Sequence, residues 1–361
     1  MSEALRSLHG SYLPEDVDFL LQPLQIEITS AEEKERLIQS QQRHYSEMIG
    51  AENPPGEVHQ ALYAQALAQN GQRMAADVAA LAVALDARFA GPSIALVSFV
   101  RAGAPLGALL RRALAERGRA VRHYGLSIIR DRGLDRVALD AVIARHGAAN
   151  IVFVDGWTGK GAIAGELARS LGGDPRFVGE PPLVTLADPC GHAWLAPSSD
   201  DWLIPSGILG ATVSGLISRT IWTEDGGYHG CMQYENLRPY DVTRAFVETI
   251  DGLRRGLSAP VAAAQPWSTE QRRMLQASAR QTIGDLAARF AIDNPNRIKP
   301  GIAEATRAVL RRVPHSVLVR ARTDQDVQLL LHLAARLGIE VEEAGAALGP
   351  YRAVTIIKRV R

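Results

Sequence analysis

Apolar and polar positions along this chain switch repeatedly between two periods. Short, nearly unbroken apolar runs at 93–100, 121–129, 151–154 and 183–186 read as buried strands. Between them, 108–117, 139–146 and 162–171 carry helical spacing, with Ile163 and Leu167 on one face of the last. Upstream, Ser30 followed by Ala-Glu-Glu-Lys-Glu has the serine and early acids of a helix start, and 59–89 is a long Ala- and Leu-rich helical stretch. Strands alternating with helices predict an α/β fold with a parallel sheet.

The pattern breaks at Ser258-Ala-Pro-Val-Ala-Ala-Ala-Gln-Pro266, which reads as a linker. It divides the chain into a domain at 1–257, with an N-terminal helical extension, and a domain at 267–361. In the second, Ser268-Thr-Glu-Gln-Arg is a capped helix start, and Ile298 to Arg312 is a glycine turn leading into a basic helix. Strands at 316–320, 339–342 and 354–358 with a helix at 327–337 predict a small α/β/α domain.

Length and composition fit this division. The chain has 361 residues, 47% of them hydrophobic, enough for two cores. Its two cysteines, Cys190 and Cys231, argue against a disulfide framework and for a reducing, cytoplasmic setting. Met1 to Arg6 lacks a signal-peptide pattern, and no apolar run is long enough to span a bilayer. The net charge of +1 hides a split. From Pro266 onward there are 16 Lys/Arg against 9 Asp/Glu, leaving 24 against 30 in the remainder. Opposite signs suggest two parts with different partners.

The most informative stretch is Ile151-Val-Phe-Val-Asp-Gly-Trp-Thr-Gly-Lys-Gly-Ala162. A strand ends at Asp155, a glycine loop follows, and a helix begins. Unpaired amides and the helix dipole favour an anion at such a joint. The P-loop pattern fails here, because Gly161 stands where a Ser or Thr is needed after Lys160. Similarly, Arg101-Ala-Gly-Ala-Pro-Leu-Gly107 follows the first strand run and could hold a second anion, with Arg101 donating to phosphate oxygens. Arg130-Asp-Arg-Gly-Leu-Asp135 is a basic loop between the two. Asp188, at a strand end, could contact a substrate, and His44 to Met48 could reach a site or pack at an interface.

A rival chemistry lies in Cys190-x-His192 and His229-x-Cys231. Residues two apart share a face in extended chain, so the four could form one zinc site. Either pair could instead supply a thiol nucleophile and its base.

The 151–162 stretch resembles the phosphoribosyl-diphosphate (PRPP) motif of type I phosphoribosyltransferases, with Gly156 standing where that family usually has a second acid. The resemblance implies that Asp155 and Gly156 meet the ribose and that Thr158, Gly159, Lys160 and Gly161 hold the 5′-phosphate. It further implies that Arg101, Ala102 and Gly103 meet pyrophosphate, that Arg130 and Arg132 sit on a closing flap, and that Mg2+ bridges the ligand's oxygens. The C-terminal part resembles the Pelota-like RNA-binding domain. That resemblance implies contacts to structured RNA from Lys299, Gly301, Glu304, Arg307 and Arg311. The whole arrangement resembles the bacterial phosphoribosyltransferase–Pelota proteins of tellurium-resistance (Ter) stress operons, a family also named StiP and labelled a cysteine protease. The expectation on phosphate-loop grounds is a Mg2+-dependent transferase using PRPP or a related nucleotide. A thiol hydrolase at Cys190 or Cys231 and a non-catalytic nucleotide sensor are the alternatives. A homodimer is the assembly considered.

Overall fold

The computed structural model describes residues 8–91 and 93–359. The N-terminal residues read above for a signal peptide, Met1 to Arg6, lie outside these, as does Pro92 at the first strand boundary. In chain order the first domain contains β1 (Asp18–Phe19), β2 (Gln22–Pro23), α1 (Ala31–Gln39), α2 (Glu57–Arg88), β3 (Ser93–Phe99), α3 (Ala104–Glu116) and β4 (Ala120–Leu126). It continues through β5 (Ile128–Ile129), β6 (Gly133–Leu134), α4 (Arg136–His146), β7 (Ile151–Val154), α5 (Ala162–Leu171), β8 (Leu183–Val184), β9 (Gly230–Cys231) and α6 (Thr243–Arg255). The second contains α7 (Thr269–Arg289), β10 (Ile298–Pro300), α8 (Ile302–Arg311), β11 (Pro314–Val319), α9 (Gln328–Arg336), β12 (Glu340–Glu343) and β13 (Ala353–Ile357).

Five strands form a parallel sheet in the order β1-β4-β3-β7-β8. Apolar runs without alternation suit it, because a parallel sheet is covered on both faces. Ile94 and Leu96 of β3, with Val152 and Val154 of β7, join the core that includes Leu85 of α2 and Leu109 of α3. Ala95, Val97 and Phe99, with Ile151 and Phe153, face the opposite core with Leu139 of α4 and Leu167 of α5. The period of two thus sorts one strand between two helical layers.

Two expected boundaries move, for local reasons. The helix expected from Ala108 begins at Ala104, with Gly103 before it and Pro105 in its first turn, where a missing N–H costs nothing. The Arg101–Gly107 anion turn therefore shrinks to a tight bend. The run 121–129 is not one strand. It breaks after Leu126, and β5 pairs antiparallel with β6 around Asp131, whose φ is +69°. Asp135 then caps α4 by accepting from Ala138 N–H at 3.0 Å.

The second domain is a mixed sheet in the order β10-β13-β11-β12 with α7, α8 and α9. Its first helix carries a capping box between Ser268 and Gln271. The linker segment runs along α2, where Ala264 N–H bonds Ala80 O at 3.0 Å.

The two domains share a core. Ile302, Ala305 and Val309 of α8 belong to the same apolar cluster as Trp202, Ile204 and Ile208. At the seam, both carboxylate oxygens of buried Asp201 face the amide of Ile302, at 3.0 and 3.2 Å, and Oδ2 also accepts from Arg352 N–H at 2.8 Å. Arg352 in turn binds Asp200 at 2.8 Å and Asp326 at 3.1 Å. Gly301 makes the turn possible, with φ +89° and an added Cβ only 3.3 Å from Asp201 Oδ1. Replacing Asp201 with alanine strands two buried N–H donors at about 1–3 kcal/mol each. Asp201→Ala should therefore lower the unfolding free energy by roughly that sum, read as a lower midpoint of chemical denaturation, and Asp201→Asn, which keeps one acceptor, by clearly less. Equal midpoints for both variants and wild type would remove Asp201 as the latch.

Candidate functional site

The seam encloses a cavity of about 350 Å³ between the C-terminal end of β7, the start of α5, α1 and α8. Asp155 ends β7 because four buried apolar residues precede it and the chain must then leave the sheet. It is buried, and its Oδ1 accepts from Gly156 N–H at 2.8 Å. Burial pushes its carboxyl up to about 7, against the pull of that amide and of the Arg307 guanidinium.

The Thr158–Gly161 loop is small-residued because other chain segments press on it. A Cβ on Gly159 would meet Glu304 Oε2 at 2.3 Å, and one on Gly161, at φ +78°, would meet the His192 ring at 2.6 Å. Tyr351 OH donates to Gly159 O at 2.8 Å. Lys160 Nζ donates to the carbonyls of Pro295 and Ile298. Thr158 Oγ1 donates to Asp188. The loop that the sequence offers as a phosphate cradle is thus the docking surface of the second domain.

Arg101 is not free for an anion. It is buried, paired with Glu52, and donates to Ile217 O at 3.1 Å. Ala102 lines the cavity, and Gly103 lets α3 approach β7, since a Cβ there would lie 2.2 Å from Val154 O. Arg130 lines the cavity with its guanidinium 5.1 Å from the Tyr45 ring. Arg132 lies away from it, paired with Glu47 and 5.0 Å over Trp222.

The residues read for RNA meet at the seam. Lys299 is 8% exposed and 3.4 Å from Glu304. Burial brings its ammonium down to about 7 despite Glu304. Arg307 stacks 4.6 Å over Trp157, and burial brings its guanidinium down to about 10. Arg311 pairs with Glu52 at 3.1 Å. Contributions the sequence did not single out are Lys34, Arg219 and Glu52. Their distances along the chain gave no local signal.

The cysteine–histidine pairs do not meet. Among the described residues no group of three or more His, Cys, Asp or Glu side chains is placed to hold a metal ion, so the single zinc site is absent. Mg2+ would have to be held largely through a ligand's own oxygens. Cys231 sits in β9, fully buried, its thiol pushed up to about 12 by burial. His229 beside it is held in place, with ring Nδ1 2.7 Å from Ser127 Oγ and its backbone N–H donating to Asp135 at 2.7 Å. Cys190 stands in a turn organised by Asp188. That carboxylate accepts from Thr158 Oγ1, His192 N–H, Ala193 N–H and Trp267 Nε1, and Cys190 Sγ lies 3.9 Å away. Burial first, then the Asp188 charge, pushes the Cys190 thiol well up. Burial also lowers His192, against the pull of the Asp188 charge.

A parallel-sheet domain joined to a small mixed-sheet domain, with a thiol, a carboxylate and an imidazole in one turn at the seam, defines a class of two-domain protein with a candidate cysteine centre. Residues 10–251 match the family described as tellurite-like stress resistance cysteine protease StiP, and the chain belongs to that family. Residues 277–359 match the Pelota RNA-binding domain. The chain is 50% identical over 364 residues to the "Cysteine protease StiP" of Acinetobacter baylyi, covering 97% of this chain and 94% of that one. No solved structure matches. These findings overturn the expectation of a Mg2+-dependent phosphoribosyltransferase, since the family and the relative are both named as cysteine proteases. The loop itself lines the seam cavity and is pressed by Glu304, Tyr351 and His192.

Asp155 gives this site a pH signature. Its acid is stabilised in the fold, so stability is fully present below the unfolded pKa and is lost as pH rises through about 7. Asp155→Asn keeps the acceptor for Gly156 and removes the charge. At ~1.4 kcal/mol per pH unit, it should gain about 2–4 kcal/mol at pH 8, a gain that fades below pH 7 and vanishes near pH 4. A pH-independent effect in urea denaturation would contradict this placement.

Proposed function

We propose that the chain is a cysteine-dependent hydrolase of peptide bonds with Cys190 as nucleophile, joined to a domain that binds RNA. The observation that carries the choice of cysteine is the turn at the seam, where Asp188, Cys190 and His192 lie within five residues and Cys190 Sγ reaches Asp188 at 3.9 Å. Cys231 has no comparable setting, being enclosed in an apolar core.

In this reading His192 accepts the thiol proton and the sulfur adds to the scissile carbonyl. The C–N bond breaks, the amine leaves with the proton from His192, and water hydrolyses the thioester. The docked arrangement is the resting form. Its thiol is 1% exposed, protonated, and covered by a cluster that includes Leu286 and Tyr351 of the second domain. A reactive thiolate needs a more exposed and electropositive setting. Turnover therefore requires the C-terminal domain to lift from the Gly159 loop. RNA binding through Lys299 and Arg307 would require the same movement, because docking buries both.

The test uses labelled casein and the full chain. Cys190→Ser should lose activity by at least about a hundredfold, while Cys231→Ser keeps it within about threefold. Loosening the latch with Asp201→Ala should speed alkylation of Cys190 by iodoacetamide. An active Cys190→Ser protein would refute the assignment, and loss only in Cys231→Ser would move the nucleophile to β9.

A further inference from the structure

A second cavity, of about 200 Å³, opens elsewhere along the seam, and neither the thiol turn nor the Asp201 latch uses it. It lies where the segment before α2 meets the C-terminal ends of α8 and α9, so both domains line it. Leu209 and Leu237 come from the first domain, Val309 and Leu333 from the second, and all four are buried. Pro54 and Pro55 add wall with no N–H to satisfy. At the mouth the apolar lining continues outward through Leu310, 37% exposed, and Leu337, 59% exposed. Apolar side chains left in water at the rim of an apolar cavity make one patch, the usual mark of a binding surface.

The charges around this cavity are not balanced from within. Glu52 is shared by Arg101 and Arg311 and also accepts from Ala211 N–H at 2.8 Å. His59 Nε2 lies 2.9 Å from Ile208 O. Arg336 is the charged lining group left over, with no carboxylate within 4.0 Å among the described residues. A Cβ on Gly56 would lie 3.7 Å from its Nη1, which sets the guanidinium at the mouth, beside the start of α2. Burial first, then the charges of His332 and Arg336, holds the His59 imidazole below its ordinary value, against the pull of the Ile208 carbonyl.

The cavity therefore joins a dry apolar end to one unpaired guanidinium. A guanidinium takes a carboxylate through two parallel N–H···O bonds. A ligand matched to both ends carries an apolar group and a carboxylate a few bonds apart. Size narrows the choice. Pockets for drug-sized molecules run from about 300 to 1,000 Å³, and this smaller one has room for about one residue. The last residue of a peptide has that shape, because its side chain and its carboxylate branch from one carbon.

We propose that this cavity captures the C-terminal residue of a peptide, with an apolar side chain between Val309 and Leu333 and the terminal carboxylate on Arg336. Because the two domains each supply part of the wall, a bound peptide favours the docked arrangement and docking favours the peptide. The inference depends neither on which cysteine is the nucleophile nor on proteolysis.

The probe is the tripeptide acetyl-Ala-Ala-Leu with a free C-terminus, titrated calorimetrically into the full chain at low salt, with thermal unfolding in parallel. Wild type should bind one equivalent and show a raised Tm with peptide. The C-terminal amide of the same peptide should bind about tenfold more weakly or worse, as expected for losing a charged hydrogen-bond partner. Arg336→Met should lose the same factor for the acid and nothing further for the amide, with the Tm of the free protein unchanged because the side chain is exposed. Arg336→Lys keeps the charge and should retain part of the preference for the acid. Octanoate, a carboxylate with no peptide, should bind more weakly than the tripeptide. No binding by wild type, equal affinity for acid and amide, or undiminished binding by Arg336→Met would each overturn the proposal. So would an equal loss from Arg273→Met, on the exposed face of α7, or octanoate binding more tightly than the tripeptide.

Discussion

A single buried carboxylate sets the geometry of this protein. Asp201, in the first domain, receives the first amide of α8 and the amide of Arg352, both in the second. A helix start leaves orphan N–H groups, and here they are satisfied from across the seam. That fixes the direction of α8 and so delivers Lys299, Glu304 and Arg307 to the end of β7. It also explains why glycine stands at 301, where φ is +89° and the Asp201 carboxylate is close. The latch is polar, and the apolar contact of Ile302, Ala305 and Val309 with Trp202 and Ile204 surrounds it. Direction comes from the hydrogen bonds and adhesion from the burial.

Two neighbouring sites at this seam have opposite electrostatics. Around Cys190 the local charge is the negative Asp188, and the thiol is held protonated. A few residues away, across the Thr158–Gly161 loop, the cavity is positive and holds its lysines partly discharged. Thr158 connects them, lining the cavity while donating to Asp188. Any movement of that loop alters both sites, because Gly159 and Gly161 are pressed by Glu304, Tyr351 and His192. The closed form is therefore chemically quiet on the thiol side and charged on the other.

The strand–loop–helix joint at 151–162 shows why a local motif can point to the wrong chemistry. Glycines are required wherever backbone is approached closely, whether by a phosphate or by another part of the chain. The sequence carries the same signal in both cases. Here the approach is made by side chains some 30 to 190 residues away, His192, Glu304 and Tyr351. Arg101 shows the same ambiguity, since a lone arginine after a strand suits a phosphate or a buried ion pair. Glu52 decided it.

The sequence by itself determined the elements and their layering. Unbroken apolar runs made β3 and β7 two-faced parallel strands, the Ala- and Leu-rich stretch made α2, and the serine–glutamine spacing made the capping box that opens α7. These features depend on residues near one another in the chain. Only the tertiary structure decided that the basic residues of the C-terminal domain face inward, that Cys190 rather than Cys231 lies beside an acid at the seam, and that Lys34 and Arg219 join a site with Lys299. Those outcomes rest on burial and on charge pairing between distant segments. Spacing along the chain carries no information about either, because desolvation depends on what covers a side chain in the folded protein.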